Sequence, residues 1–305
     1  MTKRTACFSF LPIGLGIFLL GFHGNPAGNP PANLAVKTMQ FMAADLATTL
    51  QMDVYSQILP AESAAHAFER PLFVFLHGGG FYAGSRDHPL NVEFCEQIAG
   101  HGIDVASIDY RLLQRDQGFH CGISTAAKRA AIEAAAEDLT QAISVLRPYY
   151  PSNIFIGGSS AGAHAALHAA YHMKSIDAEG VISMCGAMEP LANAPETPLL
   201  AFHGTCDALV PYGEAMHHYC RRDAPGALLL QGGGAAAECL PHTQLHAYLN
   251  AGHELTNLLL GDTACSRTCA QFIQDCLSTE DIRGTTVYAS AQECALPSPF
   301  LPCQH

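Results

Sequence analysis

Residues 72–76 read Leu-Phe-Val-Phe-Leu, a run with no polar side chain, and it stops abruptly at His77-Gly78-Gly79-Gly80. A strand with one wet face alternates apolar and polar residues, so an unbroken run this short belongs to a strand covered on both faces. Largely apolar runs recur at 103–108, 153–156, 181–184, 199–202 and 244–249. Helical patterns separate several of them. Ile132, Ala136, Leu139, Ile143 and Leu146 recur at spacings of four and three, with Lys128, Arg129, Glu133 and Glu137 on other faces. That periodicity predicts a long amphipathic helix. Residues 91–98, 161–173 and 255–277 are expected to be helical too. Strands alternating with helices imply an α/β fold, a mostly parallel central sheet with helices on both faces. In such a fold the loops beyond the strands' C-terminal ends carry the chemistry.

Residues 50–55 alternate loosely and are expected to form an early edge strand. The longest irregular stretches, 114–124 and 225–235, leave no room for a large cap domain. The expected division is a leader over 1–24, a Gly/Pro/Asn linker over 25–35, one folded domain over 36–278 and a Cys-containing tail over 279–305. Lys3 and Arg4 precede a stretch, 5–36, without Asp, Glu, Lys or Arg, whose apolar part is short for a membrane span. We read it as a signal peptide or an uncleaved N-terminal anchor, either of which implies export to the periplasm, the medium or the cell surface. Any membrane contact is expected only through this segment.

Twelve cysteines behind such a leader point to disulfides in an oxidising compartment, and Cys185 is one conceivable partner for Cys206. No Cys-x2-Cys pair occurs, and no metal site is expected. A formal charge of −12 with no compensating basic run argues against nucleic acid as a partner.

Gly158-Ser159-Ser160-Ala161-Gly162 falls between an expected strand and an expected helix. A serine hydroxyl attacks only when it is exposed, aligned and deprotonated by a neighbour, and a sharp strand-to-helix turn exposes it. Ser160 is therefore the candidate nucleophile. The amides of Gly79, Gly80 and Ala161 are candidates for binding a developing oxyanion, because glycines let backbone N–H groups approach an oxygen unobstructed. A serine needs a base and the base needs an orienting carboxylate. Asp207 follows the run at 199–202, and His253 follows the run at 244–249. The chain order Ser160, Asp207, His253 is the one expected of this arrangement. Phe81 and Tyr82 are expected to line the substrate pocket. Glu254 adjoins His253, but adjacent side chains rarely face each other usefully, so Asp207 is preferred as orienter, while His77 is expected to support its loop. His164, His168 and His172 recur at four-residue spacing but share that register with no carboxylate, so they are read as structural. His217 and His218 are expected on a surface helix without a role.

His77-Gly78-Gly79-Gly80-Phe81, Asp109-Tyr110-Arg111-Leu112, Gly158 to Gly162, 203–211 (HGTCDALVP) and 250–254 (NAGHE) together resemble the α/β-hydrolase esterases. The likeness is to the carboxylesterase and hormone-sensitive-lipase-like branch, including bacterial feruloyl- and acetylxylan-type esterases, and it spans about residues 49–278. It implies an α/β-hydrolase catalytic domain that cleaves small to medium carboxylic esters through an acyl-serine intermediate, with no cofactor. Carried onto this chain, it makes Ser160 nucleophile, Asp207 acid and His253 base, with Gly79, Gly80 and Ala161 as the oxyanion hole. Asp109 and Arg111 match structural positions. The chain departs from that branch in lacking residues for an N-terminal cap, in continuing into Leu113-Gln114, and in its many cysteines. Two other classes stay open: a serine peptidase of the prolyl-oligopeptidase kind, and a non-catalytic α/β-hydrolase module that binds a ligand.

Overall fold

The computed structural model describes residues 33–58, 70–278 and 281–289. The expected leader, most of the expected linker, and Cys294 and Cys303 lie outside the described residues. The strands are β1 (Leu34–Met42), β2 (Thr49–Gln57), β3 (Leu72–Leu76), β4 (Asp104–Ile108), β5 (Ile154–Ser159), β6 (Gly180–Met184), β7 (Ala187–Met188), β8 (Leu199–Gly204), β9 (Glu214–Met216), β10 (Leu229–Gly232), β11 (Thr243–Tyr248) and β12 (Gly284–Tyr288). The helices are α1 (Pro89–Gly100), α2 (Thr125–Leu146), α3 (Ala161–Leu167), α4 (Gly233–Cys239), α5 (Leu255–Leu260) and α6 (Thr263–Leu277). Among the described residues the main sheet has the order β1-β2-β4-β3-β5-β6-β8-β11-β12. From β4 to β12 every pairing is parallel, whereas β1–β2 and β2–β4 are antiparallel. The fold class is as expected.

The pleat divides the core. Leu72, Val74 and Leu76 of β3 join a cluster with α2 and α3, while Phe73 and Phe75 join one with α1, α5 and α6. Successive side chains of a strand point to opposite faces, so a strand inside two helix layers must be apolar throughout. The same division holds in β8, with Leu199 and Ala201 on one side and Leu200 and Phe202 on the other.

Four expectations need correction. Residues 50–55 lie in an interior strand, because β1 takes the edge beside β2. The expected tail contributes β12, which pairs parallel with β11. The stretch at 225–235 is not irregular: it holds β10 and the start of α4, and β10 joins β7 and β9 in a small antiparallel sheet. The expected helix at 255–277 breaks at Gly261-Asp262, where the Asp262 carboxylate accepts from Ala264 N at 2.8 Å and caps α6. α3 also tightens its claim on sequence: it gives way to a π-helical turn at His168–Met173, which stops at Lys174 in the left-handed region.

Candidate active site

The β5–α3 turn sets the geometry. A Cβ at Gly158 would lie 2.4 Å from the Leu76 carbonyl oxygen, and one at Gly162 would lie 2.1 Å from it. Only glycine lets α3 start this close to the end of β3. Between them Ser160 is held at φ 50° and ψ −116°, a conformation that costs a non-glycine residue on the order of 1–3 kcal/mol. The Ser160 amide donates to the Met184 carbonyl at 2.8 Å, which fixes the strained turn to β6. The hydroxyl is left facing a cavity of about 430 Å³.

The loops after β8 and β11 are tied together by the Thr205 amide on the Tyr248 carbonyl (2.9 Å), Cys206 on Ala251 (2.9 Å) and the Asn250 amide on the Thr205 hydroxyl (2.8 Å). This seam brings Asp207 and His253 together. Ser160 Oγ lies 2.8 Å from His253 Nε2, and His253 Nδ1 lies 2.7 Å from Asp207 Oδ2. Asp207 is fully buried, and its Oδ1 accepts from the amides of Leu209 and Val210, both at 2.9 Å. Burial alone would raise its carboxyl, but the bond from His253 and the nearby His203 and Val210 groups hold it below the ordinary carboxylate value.

His203 is a supporting residue that sequence reasoning passed over. Gly233 N donates to its Nδ1 at 3.1 Å, which places the ring proton on Nε2, 3.2 Å from the Val210 carbonyl and 3.7 Å from Asp207 Oδ2. Burial lowers its basicity, against the pull of Asp207 and the Val210 carbonyl. Glu254 does not orient His253; its carboxylate accepts from Gly252 N at 2.9 Å.

Gly79 (φ 120°) and Gly80 (φ 61°) need conformations that side chains resist, and a Cβ at Gly79 would meet the Ala83 carbonyl oxygen at 2.1 Å. Their amides and that of Ala161 edge the cavity, and among the described residues none of the three donates to a protein acceptor. His77 supports this loop: its Nδ1–H donates to the Gly78 carbonyl at 2.7 Å, and its ring stacks on Tyr110 at 4.4 Å. Behind it Arg86 pairs with Asp109 (2.9 Å) and Asp53 (3.0 Å), while Arg111 pairs with the buried Asp138 (2.9 Å). Asp109 and Arg111 thus hold loops in place. Phe81 and Tyr82 both line the cavity, Phe81 within its wall and Tyr82 half exposed at its mouth.

His217 and His218 are not on a surface helix. A short strand and a 3-10 turn carry them into the cavity wall, and His217 is 2% exposed. Its Nδ1 lies 3.3 Å from the ammonium of Lys128, which is fully buried and donates to the Gly226 carbonyl at 2.8 Å. Burial pushes Lys128 down to about 8 and holds His217 far below the usual imidazole value. The side chains of His164 and His172 bond the carbonyls of Ala187 and Glu189, in keeping with structural roles, although His164 also touches the cavity. Cys121 and Cys220 stand in disulfide geometry between the loops that carry Phe119 and His217, with sulfurs 2.05 Å apart. Cys185 is a buried free thiol and Cys206 is disulfide-bonded, so those two are not partners.

Residues 73–210 match the family model described as alpha/beta hydrolase fold, and the sheet order and the β5–α3 turn agree with that fold. The chain is similar to a 3-O-acetylpapaveroxine carboxylesterase of Papaver somniferum, 29% identical over 174 residues that make up 49% of this chain and 52% of that one. A second such carboxylesterase from the same plant is 32% identical over 121 residues, 37% of each chain. The chain thus spans about half the length of the first curated relative and less of the second. Among solved structures, a Thermus thermophilus protein superposes with a TM-score of 0.50 at 17% identity, over 80% of this chain and 98% of that one. At that identity the likeness concerns the fold.

Proposed function

We propose that the protein is a serine carboxylesterase that hydrolyses small to medium esters. The reading is carried by one observation, the unbroken contact from Ser160 Oγ through His253 to the buried Asp207, opening on a cavity edged by unengaged amides. His253 Nε2 takes the Ser160 proton as Oγ attacks the ester carbonyl, and Asp207 keeps the other ring proton on Nδ1. The carbonyl oxygen becomes an oxyanion that Gly79, Gly80 and Ala161 bind, each such donor being worth about 3 kcal/mol. Collapse breaks the ester C–O bond, His253 protonates the departing alkoxide, and water repeats the sequence on the acyl-serine. The likeness to plant carboxylesterases supports ester over peptide substrates.

The test is hydrolysis of p-nitrophenyl acetate and butyrate together with a fluorophosphonate probe. We expect turnover of both esters and one covalent adduct per chain, on the peptide holding Ser160. A folded protein that neither cleaves an ester nor reacts with the probe would be a binding module instead.

We further propose that residues 1–24 act as an export signal or anchor and that the protein works in an oxidising compartment. The Cys121–Cys220 pair, separated by 99 residues, supports that setting. Replacing both cysteines by serine is expected to lower the unfolding free energy by about 2–4 kcal/mol, since the bond restrains a long loop of the unfolded chain. Urea unfolding of the two proteins checks this, and equal midpoints would show that the bond restrains nothing.

A further inference from the structure

Part of the cavity wall takes no part in the chemistry above. His217 lines it, its amide anchored on the Leu228 carbonyl at 2.8 Å. An ammonium can only donate, so the 3.3 Å contact from Lys128 Nζ makes His217 Nδ1 the acceptor and leaves the ring proton on Nε2. Among the described residues that Nε2–H has no protein acceptor, and the wall that His217 helps to form is backed by a buried cation. The bonding partners of that cation are neutral, His217 and the Gly226 carbonyl, with the Phe119 ring 5.4 Å away. Among the described residues no carboxylate pairs with it. Among the described residues the cavity lining also holds no Asp or Glu, although the chain carries 27 of them.

The placement is built. His218 (φ 56°) and Tyr219 (φ 48°) are both held in the left-handed region, which the surroundings must enforce. A Cβ at Gly226 would meet the Ile123 carbonyl oxygen at 2.4 Å, so the loop that bonds Lys128 is pressed against the one before α2.

We propose that His217, fixed in its tautomer by Lys128, binds a carboxylate that the substrate carries in addition to its scissile ester. The proposal rests on the esterase reading and narrows it to half-esters and esters of hydroxy acids. Lys128 is a positioning residue here, and His217 the group that touches substrate.

The experiment compares matched esters by pH-stat at pH 7: monoethyl glutarate against ethyl pentanoate for a carboxylate on the acyl side, and 4-acetoxybutanoate against pentyl acetate for one on the alcohol side. We expect one carboxylate ester to be preferred over its neutral partner by about tenfold or more in kcat/KM, with the difference in KM. Lys128→Met and His217→Phe should bring that ratio near one, and His217→Gln, which keeps a side-chain N–H, should restore part of it. Should the Lys128 variant fail to fold, the wild-type ratio still decides. Neutral esters cleaved without any carboxylate preference would overturn the proposal and leave the esterase reading intact. Diethyl glutarate preferred as strongly as the half-ester would overturn it too, by showing recognition of a neutral oxygen. If no ester is cleaved and the fluorophosphonate does not label Ser160, the esterase reading fails and the proposal falls with it.

Discussion

Ser160→Ala is expected to lower kcat on a p-nitrophenyl ester by about 10^6-fold, His253→Ala by about as much, and the double variant scarcely further. The reason is that Ser160 Oγ and His253 Nε2, 2.8 Å apart, would act as one group in the proposed mechanism. Without the base the hydroxyl keeps its proton, and without the hydroxyl the base has nothing to activate. What survives should be a rate about 10^3–10^4 above water, from the amides of Gly79, Gly80 and Ala161 and from substrate binding. Folding should not suffer. Alanine at position 160 meets the same φ of 50° as serine and leaves the amide bond to Met184 intact. Single-turnover kinetics and circular dichroism on the three variants check both halves. Losses that multiplied in the double variant would mean that the two residues act independently, which the geometry does not allow.

What could be read in the sequence, and what could not, follows from where each signal resides. β3, β5, β6 and β8 are covered on both faces, so burial writes itself into every residue and a short apolar run suffices to find them. β1 lies at an edge with most of its side chains exposed, and β12 is the polar Gly-Thr-Thr-Val-Tyr, so neither carries a burial pattern. The break between α5 and α6 was legible in Gly261-Asp262, a stop followed by an N-cap, but the apolar periodicity across it reads as one helix. Ser160, Asp207 and His253 were legible because each sits just past a strand, where backbone turns leave local marks. His217 left none. Its place in the cavity depends on Lys128 from α2, on Gly226 and on two left-handed residues beside it, all contacts that close only in three dimensions. Loops that carry candidate catalytic residues are thus announced by their own glycines, whereas a cavity wall assembled from several elements is not.

Asp207→Asn is expected to leave the fold intact and yet cost about 10^4-fold in kcat, because it would reverse a tautomer. Asp207 Oδ1 accepts from two amides, Leu209 and Val210, both at 2.9 Å. An asparagine must turn its carbonyl oxygen toward those donors, since the opposite orientation would set an amino group against two N–H groups. Its amino group then faces His253 Nδ1, where the aspartate Oδ2 accepts at 2.7 Å. A donor at that place requires Nδ1 to carry a lone pair, so the proton moves to Nε2 and points at Ser160. The base is then blocked by its own hydrogen. Nuclear magnetic resonance of the imidazole nitrogens, with kcat measured on the same sample, separates this from a loss of structure. The variant should keep the wild-type melting midpoint within a few degrees while its Nδ1 resonance becomes that of an unprotonated nitrogen. Asp207→Ala should do worse in stability but differently in chemistry, because it leaves the Leu209 and Val210 amides buried without an acceptor, at about 1–3 kcal/mol each. An asparagine variant that turned over esters at the wild-type rate would remove Asp207 from the proton path, and His253 would need another orienting partner.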